Sequence, residues 1–306
     1  VYNEFNLVEI FSGSAGLDVS NHSIEVVHPQ NQLPLDTLLP EKPGDVLIGF
    51  QAGSSLESLL YLARESGADH IYWNRRQEPA AIARDAKVSE QLTREGLRPE
   101  SFNSAMLLES PDIKNKAGRP FRVFTPLWSH YRTRTIPAPH SVDLDALQSP
   151  QKWPQQNPLD LQSFLPSIHW DSGFSDQFGI PTRAGQLSRL DEFITTRAED
   201  YPTTRDFPAI DGTSLLSPAL HWGQIGPREV WHRLDQTIPA VESGVMRQLI
   251  WREFSHHLLV HFPQTPQRPL REDFLQFPWR EDPEHLRLWQ QGETGYPIVD
   301  AGMRQL

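Results

Sequence analysis

The sequence predicts an α/β domain with a parallel sheet, followed by a domain that is entirely helical. Two apolar runs, 45–50 and 70–73, are each followed by a segment with helical periodicity, and this alternation is typical of a parallel sheet. Beyond residue 182 the periodicity is helical throughout. The stretch 136–170 between these parts is rich in proline and has no period, so we expect it to connect the two domains.

The two helices of the α/β domain have recognisable ends. The segments 56–67 and 80–96 are amphipathic, and each closes with a glycine. Glycine readily adopts the left-handed conformation that follows many helices, so both helices are expected to end there. The first 45 residues contain short apolar pieces without a period and predict no particular element.

Four segments in the second half have a helical pattern: 184–201, 217–238, 245–262 and 283–292. The predicted limits are 1–135 for the α/β domain, 136–175 for the connection and 176–306 for the helical domain. The last residues, VDAGMRQL, continue a helical pattern without a stop signal, and the chain has no initiator methionine. We therefore expect a partial chain with a truncated second domain.

The composition is that of a globular protein and excludes several kinds of chemistry. Of 306 residues, 38% are hydrophobic, and no apolar run approaches the ~20 residues of a membrane-spanning helix, so we expect no membrane partner. The absence of cysteine excludes disulfides, thiolate metal sites, iron–sulfur clusters and cysteine nucleophiles. Together with the absence of a secretory signal, this composition fits a cytoplasmic protein.

The charge is unevenly distributed along the chain. The net charge of -11 argues against a surface that binds nucleic acid everywhere. Residues 245–271, however, contain four arginines and a single acid. This local excess is sufficient for a confined basic groove.

Hydroxyl side chains precede one of the predicted helices. Thr213 and Ser214 follow Gly212, and Ser217 stands just before a helix that we expect to begin near Pro218. Hydroxyl groups and the free N–H groups of a helix start both donate to anions, so this stretch suits a phosphate. An ordinary serine cap is the alternative, and without further context it is the favoured one.

The helical segment 245–262 carries an aromatic and a basic residue at the edge of its apolar stripe. Trp251 and Arg252 lie beside the stripe that should face the core. One interpretation is a surface that stacks a flat, partly anionic ligand, and the other is the solvated edge of a core helix.

A metal site on the same segment is a weak alternative. Glu253, His257 and His261 recur every four residues and therefore share one helix face. The HExxH pattern is absent, and histidines on aromatic-rich helices more often form hydrogen bonds within the protein. We expect no metal.

Five motifs occur in the order and spacing of one protein family: YWNRRQEPAAIARDAKV (72–88), GRPFRVFTPLW (118–128), DYPTTRDFPAIDGTSLLSPALHWGQIGPREVW (200–231), LIWREFSHHLLVHFP (249–263) and WQQGETGYPIVDAGMRQL (289–306). In these motifs the chain resembles the DNA photolyase/cryptochrome family, and within it the microbial photolyases that act on cyclobutane dimers. The resemblance extends over 46–306.

The resemblance implies a fold and a reaction. The α/β domain is then Rossmann-like, and the helical domain holds reduced FAD, with a folate or deazaflavin antenna as a further cofactor. The partner is UV-damaged DNA, from which a pyrimidine dimer is flipped into a pocket, and the protein acts as a monomer. Light excites the flavin, an electron passes to the dimer, the cyclobutane ring opens and the electron returns.

The resemblance also assigns roles to residues. The flavin-binding positions are Tyr201, Thr213, Ser214, Leu215, Leu216, Ser217 and Arg252. The DNA-contacting positions are Arg205, Gln248, Leu249, Ile250, Trp251, Arg252, Glu253, Phe254 and Ser255. Trp251 is the catalytic position, because its ring would stack on the flipped dimer.

This sequence departs from the family pattern at several positions. Leu215 stands where many relatives have arginine, Gln248 replaces a common glutamate, and Gln77 replaces a frequent tyrosine. Residues 1–45 do not resemble the opening strand of the family. These differences put one cationic contact near the cofactor and one polar contact to the dimer in doubt.

Two alternatives share the fold that the resemblance implies. One is a cryptochrome-type blue-light receptor, which passes the light signal to a partner protein. The intact Trp251 and the basic stretch 245–271 favour repair over this alternative. The other is an inactive fragment of a photolyase, which the two ends of the chain would suit.

Overall fold

The computed structural model describes residues 6–9, 48–51, 54–139, 182–236 and 244–305. The chain divides into two compact units, 1–263 and 264–306. The elements of the first unit are β1 (Asn6–Glu9), β2 (Ile48–Gln51), α1 (Ser55–Ser66), β3 (His70–Asn74), α2 (Pro79–Arg94), β4 (Arg98–Phe102), α3 (Phe124–Tyr131), α4 (Arg183–Thr196), α5 (Tyr201–Thr204), α6 (Ser217–His221), α7 (Pro227–Asp235) and α8 (Gly244–His261). Those of the second unit are α9 (Pro283–Gln290) and α10 (Pro297–Gln305).

A parallel strand pair forms the α/β layer, but only part of it was predictable. β3 pairs with β4 in parallel, in a register that places His70 opposite Arg98. The run 45–50 does contribute a strand, yet β2 pairs antiparallel with β1 in the described structure and not with β3. The prediction that this run joins the parallel sheet is therefore wrong for residues 48–51. The antiparallel pairing was not predictable, because the partner strand β1 comes from a stretch without a clear period.

The two helices of this layer end as predicted. α1 is followed by Gly67 with a φ of 73°, and α2 by Gly96 with a φ of 84°, both in the left-handed region that glycine tolerates. Ala63, Val88 and Leu92 of these helices are buried against β3 in a small apolar cluster. The apolar side of each amphipathic helix therefore covers the sheet.

The main core lies among the helices that follow. One cluster of buried side chains joins α3, α4, α7 and α8 and extends along the chain from Leu107 to Phe254. Tyr131, Phe193, Leu234 and Ile250 are among its fully buried members. The cluster thus includes residues on both sides of the predicted boundary at 135, and that boundary stays a prediction. Most of the predicted connection, 140–175, lies outside the described residues.

Helix α8 is the central element of this core. It has 18 residues, and Leu249, Ile250 and Phe254 of the predicted stripe are buried. Two polar side chains, Glu253 and His257, are buried on the same helix at 1% exposure each. Residues 249, 253 and 257 are spaced by four, so they follow one another along one helix face.

Residues 264–305 form a small helical unit of their own. α9 begins at a cap in which the carboxylate of Asp282 accepts from the backbone N–H groups of Glu284 and His285. The carboxylate of Asp300 accepts from the backbone N–H and the hydroxyl of Thr294 and from the N–H of Gly295, which fixes the turn before α10. Among the helices that the structure describes, none has the length and apolar composition needed to span a bilayer.

Candidate functional site

Trp251 is the exposed aromatic side chain of α8. Its indole is 41% exposed, on the side of α8 that also carries the exposed side chains of Arg247 and Ser255. The ring of Phe124, the first residue of α3, lies parallel to it at a centroid distance of 3.7 Å and an interplanar angle of 2°. Phe254 meets the indole edge-on at 5.8 Å. The indole is therefore covered on one face by a buried phenylalanine.

Arg252, the neighbour of Trp251, is held by backbone oxygens. Its guanidinium donates to the carbonyl of Ala105 and, at 3.4 Å, to that of Leu220 at the end of α6. Burial lowers the pKa of the Arg252 guanidinium from its ordinary value, and the charge of Glu253 opposes this shift. Arg252 therefore joins α8 to the helix that follows the hydroxyl-bearing stretch.

Glu253 is a buried acid with two hydrogen bonds. Its Oε2 accepts from the backbone N–H of Leu107 at 3.0 Å and from the hydroxyl of Tyr131 at 3.1 Å. Its Oε1 has no hydrogen-bond partner among the described residues, and Nη1 of Arg252 lies 4.0 Å from it. Burial raises the pKa of the Glu253 carboxyl to about 7, against the lowering effects of these neighbours.

The two histidines of the suggested metal site are bound to protein groups. Nε2 of His257 accepts from the backbone N–H of Phe121 at 3.0 Å, so Nδ1 carries the proton that faces the hydroxyl of Ser110 at 3.4 Å. His261 contacts the carbonyl of Ser110 at 3.1 Å. Burial lowers the pKa of His257 to about 4. The described residues contain no cluster of His, Asp and Glu suited to a metal ion.

The stretch 213–217, called the hydroxyl segment below, precedes and begins α6. Thr213 and Ser217 are exposed and Ser214 is half-buried, and no described residue hydrogen-bonds to their hydroxyls. Leu215 has a φ of 52°, a left-handed conformation that is uncommon for residues with a Cβ. Leu216 is buried. The segment therefore carries accessible hydroxyls on a turn that is strained at Leu215. The side chain of Leu216 attaches this turn to the core.

A close backbone approach fixes the hydroxyl segment against α5. A Cβ placed on Gly212 would lie 2.6 Å from Oγ1 and 3.0 Å from the backbone carbon of Thr204. Tyr201, at the start of α5, is buried, and the guanidinium of Arg205 lies 5.4 Å from its ring centroid. The residue that precedes the hydroxyl segment is thus in close contact with the helix that begins at Tyr201.

The structure separates the predicted DNA contacts into exposed and buried residues. Trp251 and Ser255 are exposed and Gln248 is half-buried, whereas the remaining side chains between them, apart from the half-buried Arg252, are buried: Leu249, Ile250, Glu253 and Phe254. A direct DNA contact by these four side chains does not fit this arrangement, because they fill the core beneath α8. Arg205 is paired with Asp206 at 3.2 Å and stays accessible.

The sequence patterns did not indicate three residues that contact α8: Leu107, Phe124 and Tyr131. Phe124 lies in the motif at 118–128 that supported the resemblance. Its spacing indicates only that it belongs to a helix, since its contact with Trp251 spans 127 positions of the chain. The family motif at 118–128 was the sequence signal that included Phe124.

Comparison with known proteins identifies the family of the chain. Residues 42–146 match the family described as DNA photolyase, and residues 245–306 match the FAD binding domain of DNA photolyase. The chain belongs to the DNA photolyase/cryptochrome family. α8 lies almost wholly within the second of these matched ranges, whereas the hydroxyl segment lies between the two.

The relatives include both photolyases and cryptochromes. The chain is 38% identical over 271 residues to the deoxyribodipyrimidine photo-lyase of Agrobacterium fabrum, which covers 87% of this chain and 56% of that protein. It is 30% identical to cryptochrome-1 of Arabidopsis thaliana, which covers 86% of this chain and 40% of the relative. A class III photolyase structure from Agrobacterium tumefaciens matches with a TM-score of 0.75 at 39% identity, over 83% of this chain and 53% of that one. The chain spans about half the length of the photolyases it matches.

The raised pKa of Glu253 predicts a pH dependence of stability. Because the folded chain binds this proton more tightly than the unfolded chain, the free energy of unfolding should fall as pH rises from 4.5 to about 7, and level off above. Glu253→Gln removes the ionisation and keeps an oxygen that accepts both hydrogen bonds. The wild type should therefore lose about 3 kcal/mol relative to the variant across this window.

Urea unfolding of both proteins between pH 4.5 and 8 measures this difference. His256 and His257 have pKa values lowered by burial and change stability in the opposite direction, but they are present in both proteins and cancel in the difference. Glu57→Gln, at an exposed position of α1, controls for the loss of one carboxylate. Parallel pH profiles for wild type and Glu253→Gln would contradict the burial of an ionisable acid at this position.

Proposed function

We propose that the protein is a deoxyribodipyrimidine photo-lyase, which repairs cyclobutane pyrimidine dimers in DNA with light and reduced FAD. The observation that carries the proposal is the indole of Trp251, which is half-exposed on the solvent-facing side of α8 and backed by Phe124. A flat ring with one free face suits a nucleobase, and stacking on such a ring contributes ~1–3 kcal/mol per base. The photolyase names of several relatives support the same function.

The groups around the hydroxyl segment fit the proposed flavin. Thr213, Ser214 and Ser217 carry hydroxyls that have no partner among the described residues, as donors to a diphosphate require. The cation of Arg252 is fixed nearby through the carbonyl of Leu220. FAD, once bound and reduced, supplies the electron that opens the dimer. In this proposal the residues named here bind and orient it, and a folate or deazaflavin antenna adds light absorption.

The charge around Trp251 supports DNA as the partner. The segment from Ile113 to Arg134, which contains Phe124, has six basic and no acidic residues in a chain whose net charge is -11. Arg247, one helical turn before Trp251, is exposed. Basic side chains attract phosphate irrespective of sequence, whereas a ring that stacks on a flipped base selects the lesion. Arg205 is a further phosphate contact in this proposal. The protein is proposed to act as a monomer in the cytoplasm.

A cryptochrome-type light receptor is the second candidate, because relatives named cryptochromes match the same chain at about 30% identity. The two functions are separated by assaying the full-length natural protein for flavin absorption and for dimer reversal under blue light. Repair requires both bound flavin and light-dependent loss of dimers. Bound flavin without any dimer reversal would reject the photolyase proposal in favour of the receptor.

Replacing Trp251 by alanine should remove lesion selectivity from the full-length protein. Stacking acts only on the flipped bases, so Trp251→Ala should weaken binding of dimer-containing DNA about five- to a hundredfold and leave undamaged DNA almost unchanged. Binding titrations with two duplexes of one sequence measure both values. Trp289→Ala, at a position of similar exposure, is the control. Equal losses on both duplexes would show that Trp251 has a structural role alone.

Replacing Gly212 by alanine should impair flavin retention. The added methyl group would collide with Thr204 and displace the hydroxyl segment from α5, since one of the contacted atoms belongs to the backbone. The flavin-to-protein absorbance ratio of the purified variant should fall severalfold below that of the wild type. Gly302→Ala, where a methyl group meets nothing within 4 Å, is the matched control. Full flavin content in Gly212→Ala would place the cofactor elsewhere.

A further inference from the structure

The contact between Phe124 and Trp251 is more than a packing contact between two core residues. The two rings are parallel within 2° at 3.7 Å, so the phenyl ring covers one face of an indole that is 41% exposed. Aromatic pairs in cores more often meet edge-on or offset, as Trp251 and Phe254 do. A face-to-face arrangement leaves the other face of the indole as the surface on which a planar group could stack.

A half-exposed side chain needs such support if it is to bind by stacking. An unsupported indole on a helix surface samples several rotamers, and ordering one of them on binding reduces affinity. The parallel ring of Phe124 restricts Trp251 to orientations that keep the two planes together. The indole is then held in its binding orientation before the base arrives.

Phe124 is itself held from several sides. Its side chain is 4% exposed, and the guanidinium carbon of Arg247 lies 5.6 Å from its ring centroid. At the other end of α3, the hydroxyl of Tyr131 donates to Glu253 on α8. Both ends of α3 are thus attached to α8, one through the stacked rings and one through the buried carboxyl, so the phenyl ring has little freedom to tilt.

We propose that Phe124 is a positioning residue that fixes the plane of Trp251, so that a flipped pyrimidine stacks on the indole face opposite the phenyl ring. The inference rests on the proposed function, because it takes Trp251 as the residue that stacks on the lesion. In this proposal Phe124 acts on the base only through the indole and does not contact the base itself. Its effect should therefore depend on Trp251 and be confined to lesion-containing DNA.

The test compares Phe124→Leu with Phe121→Leu in the full-length natural protein. Leucine at 124 keeps the site apolar but removes the flat ring, whereas Phe121 is also buried but packs against His130 and His257 instead of Trp251. We expect Phe124→Leu to weaken binding of dimer-containing DNA about two- to tenfold and to raise KM by a similar factor. Binding of undamaged DNA and kcat at saturating dimer should not change. Phe121→Leu should leave the ratio of the two affinities unchanged.

Two further variants separate positioning from general packing. Phe124→Tyr keeps the ring and should retain the wild-type preference for the lesion. In a Trp251→Ala background, Phe124→Leu should have no further effect on that preference. If Phe124→Leu does not fold, Phe124→Met provides the same comparison with a longer, unbranched side chain.

Four results would overturn the inference. Phe124→Leu could weaken both DNAs equally, it could weaken dimer binding by the same factor without Trp251, or it could strengthen dimer binding because Phe124 covers the face that the base needs. Failure of the proposed function is a different result, since the wild type itself would then show no preference for dimer-containing DNA. A wild type that prefers the lesion together with an unaffected Phe124→Leu would reject the inference alone.

Discussion

The carboxyl group of Glu253 lies inside the protein, where it accepts hydrogen bonds from the backbone of Leu107 and the hydroxyl of Tyr131. Burying an acid costs free energy unless its oxygens are paired, so these two donors have to stay in place when the chain folds. The carbonyl of Leu107 in turn accepts from Arg228 on α7. The chain between Leu107 and Tyr131 is thereby attached to two helices, and the position of α3 follows from this attachment.

Helix α8 divides its surface between stability and binding. Its buried face carries polar groups that bind the segment 107–121, whereas its edge carries Trp251 and Arg252. Arg252 connects that edge to α6 through Leu220, and the ring of Phe124 supports Trp251. One helix thus carries the stacking surface and is linked to α6, the helix that begins in the candidate anion-binding segment, and this arrangement suits a cofactor next to a flipped base.

The periodicity of the sequence was sufficient for the helices and insufficient for contacts between distant segments. α1, α2 and α8 were predictable because their apolar residues repeat at helical spacing, but β4, with the sequence RPESF, has no apolar alternation. Glu253 was expected to face DNA, yet its spacing of four from Leu249 places it on the buried face. A charged side chain is normally expected in solvent. The two groups that donate to Glu253 in the core could not be recognised from the sequence, because they are over a hundred positions away. The exposure of Trp251 was predictable from the edge of the stripe, whereas the ring beneath it was not.

In our proposal, α3 and α8 together present a single free indole face to a flipped base. A crystal structure of the full-length natural protein bound to a duplex that contains a cyclobutane pyrimidine dimer would show this contact directly. We expect the dimer to stack on Trp251 with Phe124 still parallel on the opposite face, and the hydroxyl segment to contact the flavin diphosphate. A dimer bound away from Trp251, or one that replaces Phe124 against the indole, would contradict the proposal.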